Sequence, residues 1–192
     1  MSIKQNDAAG IADTTVCAIT GTGQDRVGIV AELAELLGEH GCNLMDSSMT
    51  KLRGEFALIL MVSIPTSDFA NLKSSLESKQ SALGLTITVR ELNPPELIEA
   101  EHSDRLFLVR VYGADRVGIV ARVTRELARL SLNVTDVQTK MISQDKGDVF
   151  VMLLEATAPE SVSETGVKAS LEPLGRELGV TISVEEIEVM EL

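Results

Sequence analysis

A charged, glycine-centred heptapeptide, DRVGIVA, occurs twice in this chain of 192 residues, at positions 25–31 and 115–121. Asp25 offers a carboxylate that accepts hydrogen bonds from an ammonium group. Gly28 has no Cβ, so a ligand can approach its backbone closely. If a helix begins here, its first backbone N–H groups favour an anion such as a carboxylate. A site that offers donors to a carboxylate and an acceptor to an ammonium group suits a free amino acid. Asp115 and Gly118 offer the same groups in the second copy.

A nucleotide-binding loop is the first alternative for this segment. Residues 21–28, GTGQDRVG, bear a partial likeness to the dinucleotide-binding pattern G-x-G-x-x-G, but Arg26 stands where the third glycine belongs. The matching segment of the second copy, YGADRVG, lacks the paired glycines. The sequence therefore disfavours a phosphate-binding loop.

Simpler structural roles are open for the same residues. Asp25, just before a helix, is suited to capping the first N–H groups, and Gly28 to helix–sheet packing. Asn43 and Asn133 are either ligand contacts or turn residues that tolerate an unusual backbone conformation. Arg26 and its counterpart Arg116 are more typical of solvated or salt-bridged side chains than of ligand contacts.

The repetition extends far beyond the heptapeptide. A shift of 90 positions aligns Asn43 with Asn133, and GLTITV from Gly84 matches GVTISV from Gly179. Two copies of one unit of about ninety residues are therefore predicted, joined by a stretch that contains the turn-forming pair Pro94–Pro95. The predicted organisation is a tail at 1–13, a first domain at 14–92, a linker at 93–104 and a second domain at 105–192.

Each copy has the hydrophobic pattern of a βαββαβ unit. Apolar residues at helical spacing predict a helix over 28–40 that Gly41 ends, and strands are predicted at 43–52 and 55–64. A second helix and the alternating strand at 85–90 complete the first copy, and the second repeats this order with a turn at DKGD, 145–148. The predicted class is α+β: two ferredoxin-like units, each a four-stranded antiparallel sheet with both helices on one face.

The third strand of each unit predicts association. Phe56, Leu58 and Leu60 point to one face of this strand, and Ala57, Ile59 and Met61 point to the other. An exposed face would carry polar residues at alternate positions. We therefore expect the other repeat or a second chain to cover this face, most simply in a homodimer.

Composition and charge exclude several classes of protein. A net charge of -12 with 3% aromatic residues argues against direct nucleic-acid binding. Residues 56–62, the longest apolar run, are too few to span a membrane, and the first residues lack the pattern of an export signal, so a cytoplasmic protein is expected. Cys17 is predicted to be a core residue, and His40 and His102 are too isolated to indicate a metal or another cofactor.

The duplicated D-R-V-G-I-V turn, followed by G-C-N-L in one copy and S-L-N-V in the other, resembles tandem ACT domains, small regulatory modules that bind amino acids. A pair without an attached enzyme or helix-turn-helix is similar to the glycine-cleavage-system transcriptional repressor group. The resemblance implies ligand contacts between two units, at the first turn, the start of the first helix and the start of the second strand. The implied residues are Asp25, Gly28, Ile29, Asn43, Asp115, Gly118, Ile119 and Asn133. Many relatives have proline where this chain has Val27 and Val117, which puts the ligand's identity and the rigidity of the turn in question.

The resemblance favours a non-catalytic regulator that binds a small amino acid and signals through a protein partner, such as a transcription regulator of glycine metabolism. The alternative is a ligand-free ACT scaffold for oligomerisation or protein–protein contacts. An enzyme is disfavoured, because the sequence shows no evident nucleophile–base pair. The two copies differ just ahead of the heptapeptide, where the first has Thr22 and Gln24 and the second has Tyr112 and Ala114. The two sites therefore need not be equivalent, and one could be functional while the other is structural.

Overall fold

The computed structural model describes residues 14–93, 105–143 and 148–187. They form two compact units of the same design. The predicted tail at 1–13, the predicted linker apart from Asn93, and most of the predicted turn at 145–148 lie outside the described residues. The predicted domain limits stay predictions.

The first unit has the predicted element order βαββαβ. Its elements are β1 (Thr14–Gln24), α1 (Ile29–Glu39), β2 (Asn43–Leu52), β3 (Glu55–Pro65), α2 (Phe69–Leu83) and β4 (Leu85–Glu91). The strands lie in the order β2-β3-β1-β4, and every pair is antiparallel.

The second unit repeats this topology. Its elements are β5 (Arg105–Ala114), α3 (Ile119–Arg129), β6 (Asn133–Ile142), β7 (Val149–Ala158), α4 (Glu164–Leu178) and β8 (Val180–Ile187). The order β6-β7-β5-β8 is that of the first sheet. The α+β, ferredoxin-like fold is confirmed.

One core lies between the sheet and the two helices of each unit. In the first unit, Leu58 and Leu60 of β3 are buried with Leu33 of α1 and with Leu72 and Leu76 of α2. Alternate residues of β3 are buried, as the period of a strand requires when one of its faces meets helices. The core of the second unit is built from the equivalent strands and helices, and Met152 and Leu154 of β7 take the positions of Leu58 and Leu60.

The other face of each sheet keeps apolar residues exposed. Ile59 of β3 is 53% exposed and Leu153 of β7 is 41% exposed. All ten residues of the edge strand β2 are exposed, among them Leu44, Met49 and Leu52. The expectation that another surface covers this face stays a prediction.

The end of the first strand packs tightly on the turn between the second helix and the last strand. A Cβ added at Gly23 of β1 would lie 2.1 Å from the carbonyl oxygen of Gly84. Gly113, the equivalent residue of β5, would bring a Cβ to 2.9 Å from Cγ1 of Val180. These glycines fix the strand end from which the DRVG segment departs.

The first helix of each unit ends in the same hydrogen-bonded turn, but with different residues. After α1, the N–H of Gly41 donates to the carbonyl of Gly38 (3.0 Å), and Gly41 has φ 67°. After α3, the N–H of Ser131 donates to the carbonyl of Ala128 (3.0 Å), and Ser131 has φ 64°. This left-handed conformation costs a residue with a Cβ roughly 1–2 kcal/mol, whereas glycine adopts it freely.

Ser131→Gly should therefore stabilise the second unit by about 0.5–1 kcal/mol, because relief of strain exceeds the extra entropy that glycine has in the unfolded chain. Thermal unfolding followed by circular dichroism measures the change. The matched control is the reciprocal variant Gly41→Ser, for which we expect a loss of similar size. An unchanged or lowered midpoint for Ser131→Gly would contradict the argument.

Candidate functional site

Both copies of the heptapeptide form the same helix entrance. Gly28 precedes α1 with φ 96°, and Gly118 precedes α3 with φ 95°. The carbonyl of Gly28 accepts from the N–H of Glu32 (2.9 Å), and the carbonyl of Gly118 accepts from that of Arg122 (3.0 Å). No side chain among the described residues caps either helix, so the first N–H groups have no side-chain acceptor there.

The predicted contacts Ile29 and Ile119 have buried side chains, 2% and 1% exposed. Each is the first residue of its helix and belongs to the core of its unit. Either residue can therefore offer a ligand only its backbone N–H. The apolar side chain instead anchors the helix start on the sheet.

Asp25 does not cap α1, so the capping interpretation is wrong. Its backbone N–H donates to the carbonyl of Gly54 (2.8 Å), and its carboxylate forms an ion pair with Lys51 near the end of β2. The residue lies three positions before Gly28, which is the residue that precedes the helix. Its role in the first unit is to tie the helix entrance to the turn between β2 and β3.

Asp115 stands in a different environment from its counterpart. The position equivalent to Lys51 is Met141 in the second unit. Asp115 is exposed, and its carboxylate has no ion pair or hydrogen bond with any residue that the structure describes. Among the described residues, the aspartate at the second helix entrance therefore has no ion-pair partner, whereas the aspartate at the first pairs with Lys51.

Arg26 is salt-bridged, as the simpler interpretation of this residue predicts. Its guanidinium forms two hydrogen bonds with Glu32 (2.6 and 2.8 Å) and a third with the carbonyl of Ala82 (2.9 Å). The paired guanidinium lowers the pKa of the Glu32 carboxyl. In the second unit Arg122 replaces Glu32 and pairs with Glu177 of α4 (2.5 Å).

Asn43 and Asn133 begin β2 and β6, and neither has the positive φ of a turn residue. The turn interpretation is therefore wrong. Asn43 pairs with Ser63, which lies eight residues further along β3 than Glu55, the partner of Gln24. At the usual rise of a strand, eight residues place Asn43 about 27 Å along the sheet from Gln24, the strand end that leads into the helix entrance. No unit by itself brings its asparagine to its own helix entrance, and the second unit has the same register.

This duplicated architecture decides the family. The sequence profile of the ACT domain matches residues 16–90 and 105–185. The chain belongs to the ACT domain family. It is 41% identical over 70 residues to a UPF0237 protein of Methanocaldococcus jannaschii, a match that covers 35% of this chain and 78% of that protein. A UPF0237 protein of Lactococcus lactis is 35% identical over 72 residues, 38% of this chain and 83% of the relative.

Two solved structures resemble the tandem ACT chain over nearly its whole length. An unknown protein from Galdieria sulphuraria has 29% identity and a TM-score of 0.78, covering 92% of this chain and 100% of that one. A protein described as a candidate glycine cleavage system transcriptional repressor has 22% identity and a TM-score of 0.69, with 92% and 99% covered. The latter likeness shows the fold alone.

The first ACT unit also contains a nucleophile–base contact that the sequence did not reveal. Nδ1 of His40 donates to the Asp68 carboxylate, and Nε2 lies 3.0 Å from Oγ of Ser75. Hydrogen bonds from Asn71 and His40 hold the pKa of the Asp68 carboxyl below its usual range. Asp68 and Ser75 lie 28 and 35 positions after His40, so no short sequence motif contains all three residues.

The surroundings of Ser75 do not complete a hydrolytic site. Ser75 lies in the middle of α2, where backbone N–H groups are used by the helix itself and are not available as oxyanion donors. The second unit has Leu130, Ser163 and Ser170 at the corresponding positions. The contact therefore ties the end of α1 to the start of α2 in one unit only.

Cys17 is fully buried in β1, as predicted, and burial raises the pKa of its thiol to about 11. Cys42 is partly buried, and both cysteines are free thiols. Within residues 14–93, 105–143 and 148–187, no three side chains of His, Cys, Asp or Glu are grouped as metal ligands would be. No helix in the same ranges combines the length and hydropathy that crossing a membrane requires.

Proposed function

We propose that this tandem ACT protein is a non-catalytic regulator that binds a small amino acid and signals through a protein partner. The observation that carries the proposal is the duplicated helix entrance, in which an aspartate stands three residues ahead of a glycine that begins a helix without a side-chain cap. The N–H groups of the first helical turn receive the ligand carboxylate, and the aspartate receives its ammonium group. Gly118 supports this arrangement, because a Cβ added there would meet nothing within 4 Å.

The asparagine of the site comes from a second ACT unit. Asn43 and Asn133 lie at the far end of their own sheets, about 27 Å from their own helix entrances, yet their amide groups have no hydrogen bond to any other described residue. An exposed amide supplies one acceptor and two donors to a bound amino acid. Ligand binding therefore depends on association between units, and association carries the signal.

The partner is a protein and not a nucleic acid. With a net charge of -12, the chain repels phosphate backbones. A transcription regulator of glycine metabolism is the partner that we favour, on the strength of the structural neighbour described as a candidate glycine cleavage repressor. Contact with such a partner would change when the amino acid binds.

Isothermal titration calorimetry against each of the twenty amino acids tests the function. We expect saturable heat with one or a few small amino acids. The variant Asn43→Ala/Asn133→Ala should lose this heat while its circular dichroism spectrum stays unchanged, because both side chains are exposed and make no contact that holds the fold. Absence of heat and of any thermal shift with all twenty would refute amino-acid binding by this chain.

A ligand-free scaffold is the second candidate, and the exposed apolar residues of β2 favour it. Leu44, Met45 and Leu52 are each more than half exposed on an edge strand, a typical interaction surface. Such a scaffold would associate in the same way with and without amino acids. Sedimentation velocity in both conditions separates the two functions, since the regulator should change its association on binding.

A further inference from the structure

The first helices of the two ACT units carry opposite charges at equivalent positions. Three glutamates project from α1, and the residues 90 positions later in α3 are all arginines. The pairs are Glu32 and Arg122, Glu35 and Arg125, and Glu39 and Arg129. A spacing of three and four residues places each trio along one side of its helix. The buried residues Leu33 and Leu37 are matched by Val123 and Leu127, whereas the buried Leu36 is matched by the half-buried Glu126.

A row of small residues runs beside each charged row, one position ahead of it. In α1 the row is Ala31, Ala34 and Gly38, and in α3 it is Ala121, Thr124 and Ala128. All are exposed except the half-buried Thr124, and a Cβ added at Gly38 would meet nothing within 4 Å. Small side chains allow the axes of two packed helices to approach to the lower end of the usual 8–10 Å.

The middle charge of each row is not compensated within its unit. Glu35 and Arg125 have no ion pair with any residue in the described ranges, and the same holds for Glu39. The other members are partly neutralised, because Arg26 pairs with Glu32, Glu177 with Arg122 (2.5 Å) and Glu126 with Arg129 (2.6 Å). Glu35 and Arg125 are therefore the charges with most to gain from an external partner.

We infer that α1 of one copy of this chain packs antiparallel against α3 of a second copy, with their small residues in contact. In both helices the charged row lies on the same side of the small row. When the two small rows face each other and the helices run antiparallel, both charged rows lie on the same side of the contact. When the helices run parallel, the charged rows lie on opposite sides. Glu35 then meets Arg125, and the outer positions pair as Glu32 with Arg129 and Glu39 with Arg122.

The dimensions of the two rows fit this pairing. Each row spans seven residues, about 10.5 Å at the rise of 1.5 Å per residue. Flanking charges beside a small or apolar seam are what set partner and orientation in paired helices. Pairing of α1 with α1 would oppose carboxylates, and pairing of α3 with α3 would oppose guanidinium groups. Because the whole chain carries -12, the arginine row is also where another acidic copy meets least repulsion.

Sedimentation velocity over a concentration series tests the contact. Glu35→Arg and Arg125→Glu should each raise the dimer dissociation constant at least about tenfold, because an attraction becomes a repulsion. The double variant Glu35→Arg/Arg125→Glu should return it to within about threefold of the original, since the pair is restored with its signs exchanged. Glu77→Arg is the matched control, because Glu77 is exposed on α2 and the charge changes equally.

Salt and steric bulk give independent measurements of the same contact. Raising the salt from 0.1 to 1 M shortens the screening length from about 10 to about 3 Å and should weaken the dimer. Ala34→Gln should also weaken it while leaving the circular dichroism spectrum unchanged. A chain that is monomeric at every concentration, a dimer that both single reversals leave intact, or a double variant without recovery would each overturn the inference.

Discussion

Gly23→Ala should destabilise the first ACT unit by about 3 kcal/mol or more, the largest loss that we expect from adding a methyl group to any glycine that the structure describes. The added Cβ would lie 2.1 Å from the carbonyl oxygen of Gly84 and 3.0 Å from Cδ2 of Leu85. Overpacking against movable side chains typically costs 1–3 kcal/mol. Here the nearest obstacle is backbone at the turn into β4, so the whole strand pairing of β1 and β4 must shift.

Thermal unfolding with hydrogen exchange resolved by peptide measures this loss and assigns it to the first unit. Gly38→Ala is the matched control, because Gly38 is exposed within α1 and an added Cβ has no neighbour within 4 Å. Alanine in a helix is more stable than glycine by about 0.5–1 kcal/mol, so this control should gain stability. A Gly23→Ala variant as stable as the original would show that the strand end is not closely packed.

The equivalent change in the second unit should be milder. A Cβ at Gly113 meets Cγ1 of Val180 at 2.9 Å and Cα of Val180 at 3.0 Å, and the first of these atoms belongs to a side chain that can move. We expect Gly113→Ala to cost less than Gly23→Ala by at least about 1 kcal/mol. The comparison locates the rigid obstacle in the backbone of Gly84.

The fold was predictable because each element carries its own signal. The short apolar run of β3, the alternation along β4, the helical spacing in α1 and an internal repeat of about ninety residues all agree on one topology. The strand order also follows, since right-handed crossovers allow few arrangements of βαββαβ. Close packing at Gly23 was not predictable, because Gly21 and Gly23 look alike in the sequence and differ only once β4 is paired with β1.

The sequence predicts which residues of the two units are equivalent, but not the surroundings of each residue. The repeat singles out Asp25 and Asp115 as equivalents. Whether each aspartate has an ion-pair partner depends on Lys51 in the first unit and Met141 in the second, and neither residue belongs to the motif. The contact of His40 with Ser75 and Asp68 depends on packing α1 against α2. The distance of about 27 Å between the two ends of the sheet at which Asp25 and Asn43 lie depends on the register of β2 on β3, which residue spacing does not reveal.

The non-equivalence of the two aspartates leads to the largest expected effect on binding, and it depends on the proposed function. Asp115→Asn should weaken amino-acid binding by about ten- to a hundredfold, because a hydrogen bond to a charged group contributes about 1.5–3 kcal/mol and no described residue competes for the exposed carboxylate of Asp115. Asp25→Asn should change the affinity by less than about threefold, because Lys51 already neutralises that carboxylate. Calorimetry gives both the affinity and the stoichiometry.

Lys51→Met provides the decisive variant, because it places in the first unit the residue that the second unit has at position 141. Freed of its ion pair, Asp25 should then accept a ligand ammonium group, and the number of amino acids bound per chain should rise from one toward two. Lys73→Met is the matched control, since Lys73 is exposed on α2 and loses the same charge. Equal losses for Asp25→Asn and Asp115→Asn, with an unchanged stoichiometry for Lys51→Met, would show that the ion pair does not decide which ACT unit binds the ligand.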